Sequence, residues 1–191
     1  MIKVVNRSDV ALCSADNVAD EDLRSISAIE TILIHRNTAA GTIEGLRDFH
    51  SSGQYVFSLF PYHFFLDYSD GSDADGSRGI GDVVVNQIHP LNVISSHAAG
   101  RNRSAIGIAL NVDGRKYPPS GVMLSKVAAL CAIIHSAYPR TSVFGHSALK
   151  QCPGKLVPVQ WIAARAEQLS RFTSPDCIKE SGIRIKHGLD S

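Results

Sequence analysis

The stretch ETILIH at residues 30–35 is short, apolar and rich in β-branched side chains, and it predicts a strand in the core of a sheet. Working outward, four more strands are predicted at residues 62–68, 82–88, 105–112 and 143–145. The strand at 62–68, YHFFLDY, is rich in aromatic side chains. It ends in SDGSDADGS, a run of Gly, Asp and Ser that marks a loop.

Three helices are predicted between and after these strands. The first covers residues 42–51, with Thr42 as its N-cap and apolar side chains at helical spacing. The second covers residues 121–138, capped by Ser120, and the third begins near Pro158 and ends near residue 172. Interspersed strands and helices predict an α/β domain with a mostly β-sheet centre flanked by helices.

The bulk properties indicate a single globular domain. The chain has 191 residues, is 44% hydrophobic and has a formal net charge of +1, so nothing favours a strongly charged partner. It has no basic patch interleaved with aromatics, which argues against nucleic-acid binding. The N-terminus has no apolar signal region, and the longest apolar stretch, residues 127–134, is too short to span a bilayer. We therefore expect a monomer made in the cytoplasm, without membrane insertion.

Histidine and cysteine side chains follow two of the predicted strands. His35 closes the first strand, His146 follows the strand at 143–145, and Cys152 comes six residues later in a loop that can curl back. Two imidazoles and a thiolate form a good zinc set that leaves the fourth position open. The alternative is chance, because the chain has eight histidines and a histidine near a strand end is more often an ordinary core or surface residue. Cys131, inside an apolar helical pattern, is interpreted as a buried inert thiol.

Four motifs in order resemble those of one enzyme family. They are ILIHRNTA (residues 32–39), PYHFFLDYSDG (61–71), SSHAAGRNRSAIGIAL (95–110) and FGHSALKQCPG (144–154). Together they resemble the type 2 N-acetylmuramoyl-L-alanine amidases, which include endolysins of the T7 lysozyme type and peptidoglycan recognition proteins. The resemblance covers residues 32–161, and four ordered motifs are far more specific than any one alone.

The resemblance implies a fold, a reaction and a set of site residues. The fold is a single amidase domain with a central mixed β-sheet flanked by helices, and the reaction is zinc-dependent hydrolysis of the amide bond between N-acetylmuramic acid and L-alanine in peptidoglycan. The implied zinc ligands are His35, His146 and Cys152, and the implied catalytic residues are Tyr62 and Lys150. By the same resemblance, His97 is expected near the cleft, either beside the ligands or in contact with the substrate. Asn102 is expected to shape that loop, and both are candidate substrate-binding residues.

The chain also departs from the family pattern. Ala109 stands where some members have a glutamate, so a carboxylate base from that strand is missing. Pro61 precedes Tyr62 where the family usually has glycine, and this difference could change the orientation of the Tyr62 side chain. If the strand at 62–68 is regular, His63 points opposite to Tyr62 and faces away from the chemistry.

The predicted organisation is an N-terminal extension packed on the domain (residues 1–29), a zinc amidase domain (30–172) and a polar, peripheral C-terminal tail (173–191). The expected partner is a peptidoglycan or muropeptide substrate, and the favoured role is that of a lytic, endolysin-like enzyme that reaches the wall after release.

Three alternatives stay open. One is a cytoplasmic amidase that recycles muropeptides. Another is a non-catalytic peptidoglycan-binding module, although such relatives lose the cysteine ligand that this chain keeps. The third is a hydrolase with Cys152 as nucleophile, for which a cysteine before a proline in a loop is poorly placed.

Overall fold

The structure, a computed structural model, describes residues 2–10, 19–37, 41–51, 60–69, 82–146 and 151–185. The strands in these ranges are β1 (Val4–Asn6), β2 (Thr31–Arg36), β3 (Phe64–Tyr68), β4 (Val83–Gln87), β5 (Ala105–Leu110) and β6 (Ser142–Gly145). The α-helices are α1 (Ile43–Ser51), α2 (Gly121–Ala137), α3 (Val159–Ser170) and α4 (Cys177–Glu180). Lys150 and the predicted loop after Asp70 lie outside the described residues.

The six strands form one sheet in the order β1-β4-β3-β5-β2-β6. Neighbouring strands are parallel except β3 and β4, which are antiparallel. This mixed sheet with helices packed on it confirms the predicted fold class.

The two faces of the sheet have different roles. Alternate side chains of β2 and β5, among them Ile34 and Ile108, point to one face, where they form the main core with α2. Cys131 of α2 is fully buried in this core, and burial raises the pKa of its thiol to about 12, as expected of an inert cysteine. The intervening side chains, including Leu33 and His35, point to the opposite face.

The predicted helix caps are confirmed. The Ser120 hydroxyl accepts the N–H of Met123 (3.2 Å) at the start of α2, and the Thr42 hydroxyl accepts the N–H of Gly45 (3.0 Å) at the start of α1. Both bonds satisfy N–H groups that a helix leaves unpaired in its first turn. Within the described ranges, no helix has both the length and the apolar character needed to cross a membrane.

The segments near both termini are held to the sheet. β1 pairs with β4, and the Val4 N–H donates to the Ser181 carbonyl (3.0 Å). Ile178 and Ile183 are only 5% and 7% exposed and belong to the main core. Ile178 and Ile183 therefore depart from the expectation that the chain is peripheral from residue 173 onward. These two isoleucines are isolated in a polar stretch, so the local pattern does not reveal their burial.

Candidate metal centre

His35 belongs to β2, on the face of the sheet opposite α2. In the parallel register with β5 it stands beside Ala109, and its side chain is 1% exposed. Burial is the main cause that holds the pKa of His35 well below the usual value for histidine, and the neighbouring His97 and His146 lower it further. The imidazole is therefore neutral at neutral pH and keeps an unprotonated nitrogen, as a metal ligand must.

His146 reaches the same place because β6 is parallel to β2. The pairing aligns Gly145 with Ile34, and the His146 N–H continues it by donating to the Ile34 carbonyl (3.1 Å). The imidazoles of His35 and His146 consequently lie with their centroids 4.5 Å apart. Partial burial also lowers the pKa of His146, with a smaller contribution from Arg101.

Cys152 completes the group from the segment that follows β6. Its Sγ lies 3.7 Å from Nδ1 of His35. Gly154 fixes this segment, because its φ of +103° and its close approach to Gly114 leave no room for a side chain, whose Cβ would come within 2.2 Å of the Gly114 carbonyl carbon. The Leu156 N–H also donates to the Gly114 carbonyl (2.9 Å). Residues 151–156 thus place Cys152 beside His35 and His146, as expected.

The three side chains form a group that can hold a metal ion. One donor atom from each of His35, His146 and Cys152 lies within 4.8 Å of the other two. Zinc–nitrogen and zinc–sulfur bonds at tetrahedral angles place nitrogen and sulfur about 3.6 Å apart, close to the separation of His35 Nδ1 and the Cys152 thiol. Both the donor set and its spacing fit zinc. Burial raises the pKa of the Cys152 thiol, while the Arg36 backbone N–H and the Arg36 charge lower it.

Tyr62 lies beside this group. Its ring centroid is 5.0 Å from that of His35, so the preceding Pro61 does not turn it away. Burial raises the pKa of the Tyr62 phenol, Cys152 raises it further, and Arg36 partly offsets this. The hydroxyl is therefore protonated at neutral pH and is available as a hydrogen-bond donor.

His97 and Asn102 lie on the segment between β4 and β5. His97 Nδ1 is 3.2 Å from His35 Nε2, and the side chain of His97 is only 8% exposed. The amide oxygen of Asn102 accepts the N–H groups of His97 (3.1 Å) and Ala98 (2.7 Å). The structure thus brings His97 to the ligand group and uses the Asn102 side chain to shape the segment that carries it.

His63 departs from its expected orientation. Its ring is fully buried with its centroid 5.8 Å from that of His97, so it packs beside the site residues and does not face away from them. The expectation assumed a regular strand from residue 62, whereas β3 begins only at Phe64, so simple alternation does not apply to His63.

Ala109 occupies the position expected from the motif. It stands next to His35 in the register and is fully buried among Ile43, Leu46 and Phe65, so a methyl group and an apolar cluster fill the place of the family glutamate.

Sequence reasoning missed one site residue, Arg24. Its guanidinium is 5% exposed and donates to the carbonyls of Asn102 (2.6 Å), Ala105 (2.8 Å) and Leu91 (2.9 Å). Burial lowers the pKa of Arg24 to about 10. No periodicity or motif marks this residue, because its partners, three backbone carbonyls and the ring of His63 (3.0 Å), are far away in the sequence.

A groove of about 740 Å³ opens beside Cys152. Arg101 and Lys155 border it, and so does Phe144, which is 50% exposed. The groove therefore leaves room for a ligand next to Cys152.

A profile of the N-acetylmuramoyl-L-alanine amidase family matches residues 25–155, more than half of the 191-residue chain. This chain belongs to that family. Family membership supports peptidoglycan amidase activity, and the resemblance drawn from the four motifs is confirmed. The match spans the candidate metal-binding group, from His35 to Cys152. No curated protein sequence matches the chain.

Solved structures show the fold of this amidase in other proteins. The endolysin amidase LysCS from Clostridium intestinale is 22% identical with a TM-score of 0.62, over 87% of this chain and 97% of its own. The Ph2119 endolysin of a Thermus scotoductus bacteriophage is 20% identical with a TM-score of 0.61, over 86% and 99%. Drosophila PGRP-LB is 20% identical with a TM-score of 0.59, over 91% and 97%.

Proposed function

We propose that this amidase uses zinc to hydrolyse the bond between N-acetylmuramic acid and L-alanine, and that it acts as a lytic, endolysin-like enzyme. The observation that carries the proposal is the convergence of His35, His146 and Cys152 from three separate segments, with one donor atom of each within 4.8 Å of the others. Two neutral imidazoles and a thiolate form the donor set of a catalytic zinc site with one open position.

A zinc site would address the two obstacles to amide hydrolysis. An amide is a poor electrophile and water is a weak nucleophile near neutral pH. If these residues held zinc, the metal would supply both a stronger nucleophile and a better electrophile, by acidifying a water molecule and polarising the scissile carbonyl. His35 and His146 would hold it as neutral ligands, because burial lowers the pKa of both imidazoles.

Tyr62 is the described residue best placed to assist the reaction. Its protonated phenol lies beside His35 and can donate a hydrogen bond to the oxygen of the scissile carbonyl as negative charge develops there. We assign a second donor role to Lys150, on the strength of its place two residues before Cys152 in the family motif. Since Ala109 is an alanine, proton transfer depends on these groups or on the attacking water.

Support for a lytic role comes from the neighbouring structures. Two of them are endolysins by name, and this chain covers 97% and 99% of their lengths. A recycling amidase would prefer small soluble muropeptides, whereas a lytic enzyme cleaves intact sacculi. Assays on both substrates therefore separate the two roles.

A non-catalytic binding module is the second candidate, because PGRP folds are among the similar structures. The retained Cys152, placed 3.7 Å from His35, favours the enzyme. A protein that binds muropeptides but releases no peptide with a free L-alanine amino terminus would support the binding module.

The decisive test combines metal analysis with product analysis. We expect the purified protein to contain zinc and to release peptides that begin with L-alanine from sacculi, as identified by mass spectrometry. Cys152→Ser should lose most of the zinc and nearly all turnover, because it removes a ligand. Lys150→Ala should keep the zinc and slow the reaction, because it removes transition-state stabilisation only.

Cys177→Ser is the matched control, since this half-buried cysteine belongs to α4 and packs against the main core on the other face of the sheet. It should retain both zinc and turnover. Full activity in Cys152→Ser, or activity that resists chelators and is abolished by iodoacetamide, would contradict the zinc assignment and favour a cysteine nucleophile.

A further inference from the structure

A chain of hydrogen-bonding groups runs from the candidate ligand His35 into the interior. His35 Nε2 lies 3.2 Å from His97 Nδ1, and His97 Nε2 lies 3.2 Å from the Ala105 carbonyl oxygen. We propose that His97 is a positioning residue, which selects the one tautomer of His35 that can bind the metal and holds its ring in place. This inference rests on the proposed zinc-binding function.

The direction of each hydrogen bond follows from the last group in the chain. A carbonyl oxygen can only accept, so Nε2 of His97 carries the hydrogen and donates to Ala105. In the neutral ring Nδ1 of His97 is then an acceptor, and His35 must donate to it from Nε2. The hydrogen of His35 is thereby placed on Nε2, which leaves the lone pair on Nδ1, the nitrogen that faces Cys152.

The surroundings of His97 hold its ring in the orientation that this role requires. Its face lies against Gly107 of β5, where a Cβ would come within 2.7 Å of the His97 ring. Its backbone N–H is bound by the amide oxygen of Asn102 (3.1 Å). Glycine at position 107 is therefore what lets the imidazole lie close enough to β5 to reach Ala105.

Arg24, which lies before the predicted start of the domain at residue 30, also supports the segment that carries His97. One guanidinium nitrogen donates to both Ala105 (2.8 Å) and Asn102 (2.6 Å), so it fixes the carbonyl that receives the His97 hydrogen and the loop that carries His97. The N-terminal segment thus contributes to the order of the ligand group.

The first test compares two replacements of His97 by zinc affinity, measured by competition with a chromogenic chelator. In His97→Asn the amide oxygen can stand where Nδ1 stood and accept from His35, whereas His97→Gln reaches the Ala105 end and leaves His35 without its acceptor. Loss of such an outer partner typically weakens metal binding roughly 10–100-fold. We expect a loss of this size for His97→Gln and a smaller loss for His97→Asn.

The second test leaves His97 in the chain and displaces its ring. Gly107→Ala should weaken zinc binding to a similar extent, because its methyl group would collide with the imidazole. Nitrogen-15 NMR of the metal-free wild type should show the hydrogen of His35 on Nε2, with that preference lost in Gly107→Ala and His97→Gln. Folding of each variant is checked by its amide spectrum.

The possible outcomes separate this inference from the proposed function. Wild-type zinc affinity in both His97→Gln and Gly107→Ala, or a His35 hydrogen on Nδ1 in the wild type, would overturn the positioning role. If the wild type bound no zinc, the proposed function would fail, while the NMR measurement on metal-free protein would still decide whether His97 sets the tautomer of His35. If His97 only filled space, Gly107→Ala and His97→Gln would leave the hydrogen of His35 on the same nitrogen as in the wild type.

Discussion

The contribution of the Tyr62 phenol to turnover can be measured separately from metal binding. Tyr62→Phe removes one hydroxyl and keeps the ring that packs 5.0 Å from His35. Removal of one donor to a developing oxyanion typically lowers kcat by roughly 10²–10³-fold. We expect a loss of this order in the release of L-alanine termini, with zinc content unchanged in the same sample.

Tyr68→Phe is the matched control at the same scale. Tyr68 is 4% exposed, belongs to the main core, and accepts the Ser120 N–H on its hydroxyl (3.4 Å). Its loss should affect stability slightly and turnover not at all. Equal turnover in Tyr62→Phe and the wild type would show that the phenol is not a donor in the reaction.

At the scale of secondary structure, the N-cap of α2 can be tested against a neutral site on the same helix. Ser120→Ala removes the acceptor for the Met123 N–H and should lower the free energy of unfolding by about 1 kcal/mol. Ser125→Ala changes an exposed residue inside the helix, where alanine is favoured. It removes only a bond from the hydroxyl to the Gly121 carbonyl (2.8 Å), which already lies within the helix, so stability should stay nearly unchanged. Urea denaturation measures both. A loss of equal size in the two variants would show that the cap bond contributes nothing.

The elements that the sequence predicts well are those with a strong local pattern. The strand ends at His35 and Gly145 could be predicted from apolar runs, and the loop through Cys152 from the shared motif, so the ligand group follows once β2 and β6 are parallel. The strand β1 has only three residues and depends on its pairing with β4, which leaves no local signal. The aromatic pattern predicted that β3 begins at residue 62, whereas it begins at Phe64, and this difference explains the wrong expectation for His63.

On the scale of the whole molecule, residues remote in sequence hold the termini and the site together. The guanidinium of Arg24 joins the N-terminal segment to the carbonyl groups that support His97, and the Arg184 N–H donates to the side-chain oxygen of Gln87 (2.7 Å) in β4. Such contacts pair buried polar groups with backbone atoms, and they carry no pattern that a sequence reveals. The domain boundaries at residues 30 and 172 stay predictions. The packing of the described residues continues on both sides of each boundary.

Acid should lower the free energy of unfolding, because buried histidines are neutral in the folded protein. The contribution of His89 to this loss can be measured with a single variant. Its ring is fully buried, Nε2 donates to the Phe60 carbonyl (3.0 Å), and among the described residues Nδ1 finds no hydrogen-bond partner. Burial is the main cause that lowers the pKa of His89 to about 4; the bond to Phe60 opposes the shift, and the charge of Arg184 adds to it. Above pH 6.5 the ring is neutral in both the folded and unfolded chain, so it exerts no pH-dependent effect.

As the pH falls from 6.5 toward 4, the unfolded chain gains a proton on this ring that the folded chain does not, and stability is lost. The loss reaches on the order of 3 kcal/mol for a shift of this size. In His89→Gln the amide keeps a donor for Phe60 but cannot titrate, so we expect the variant to gain stability relative to the wild type by about that amount between pH 7 and pH 4. Urea unfolding of both metal-free proteins at several pH values measures the difference, in which the other histidines cancel. A difference that stayed constant with pH would mean that His89 is already charged, or already exposed, in the folded protein.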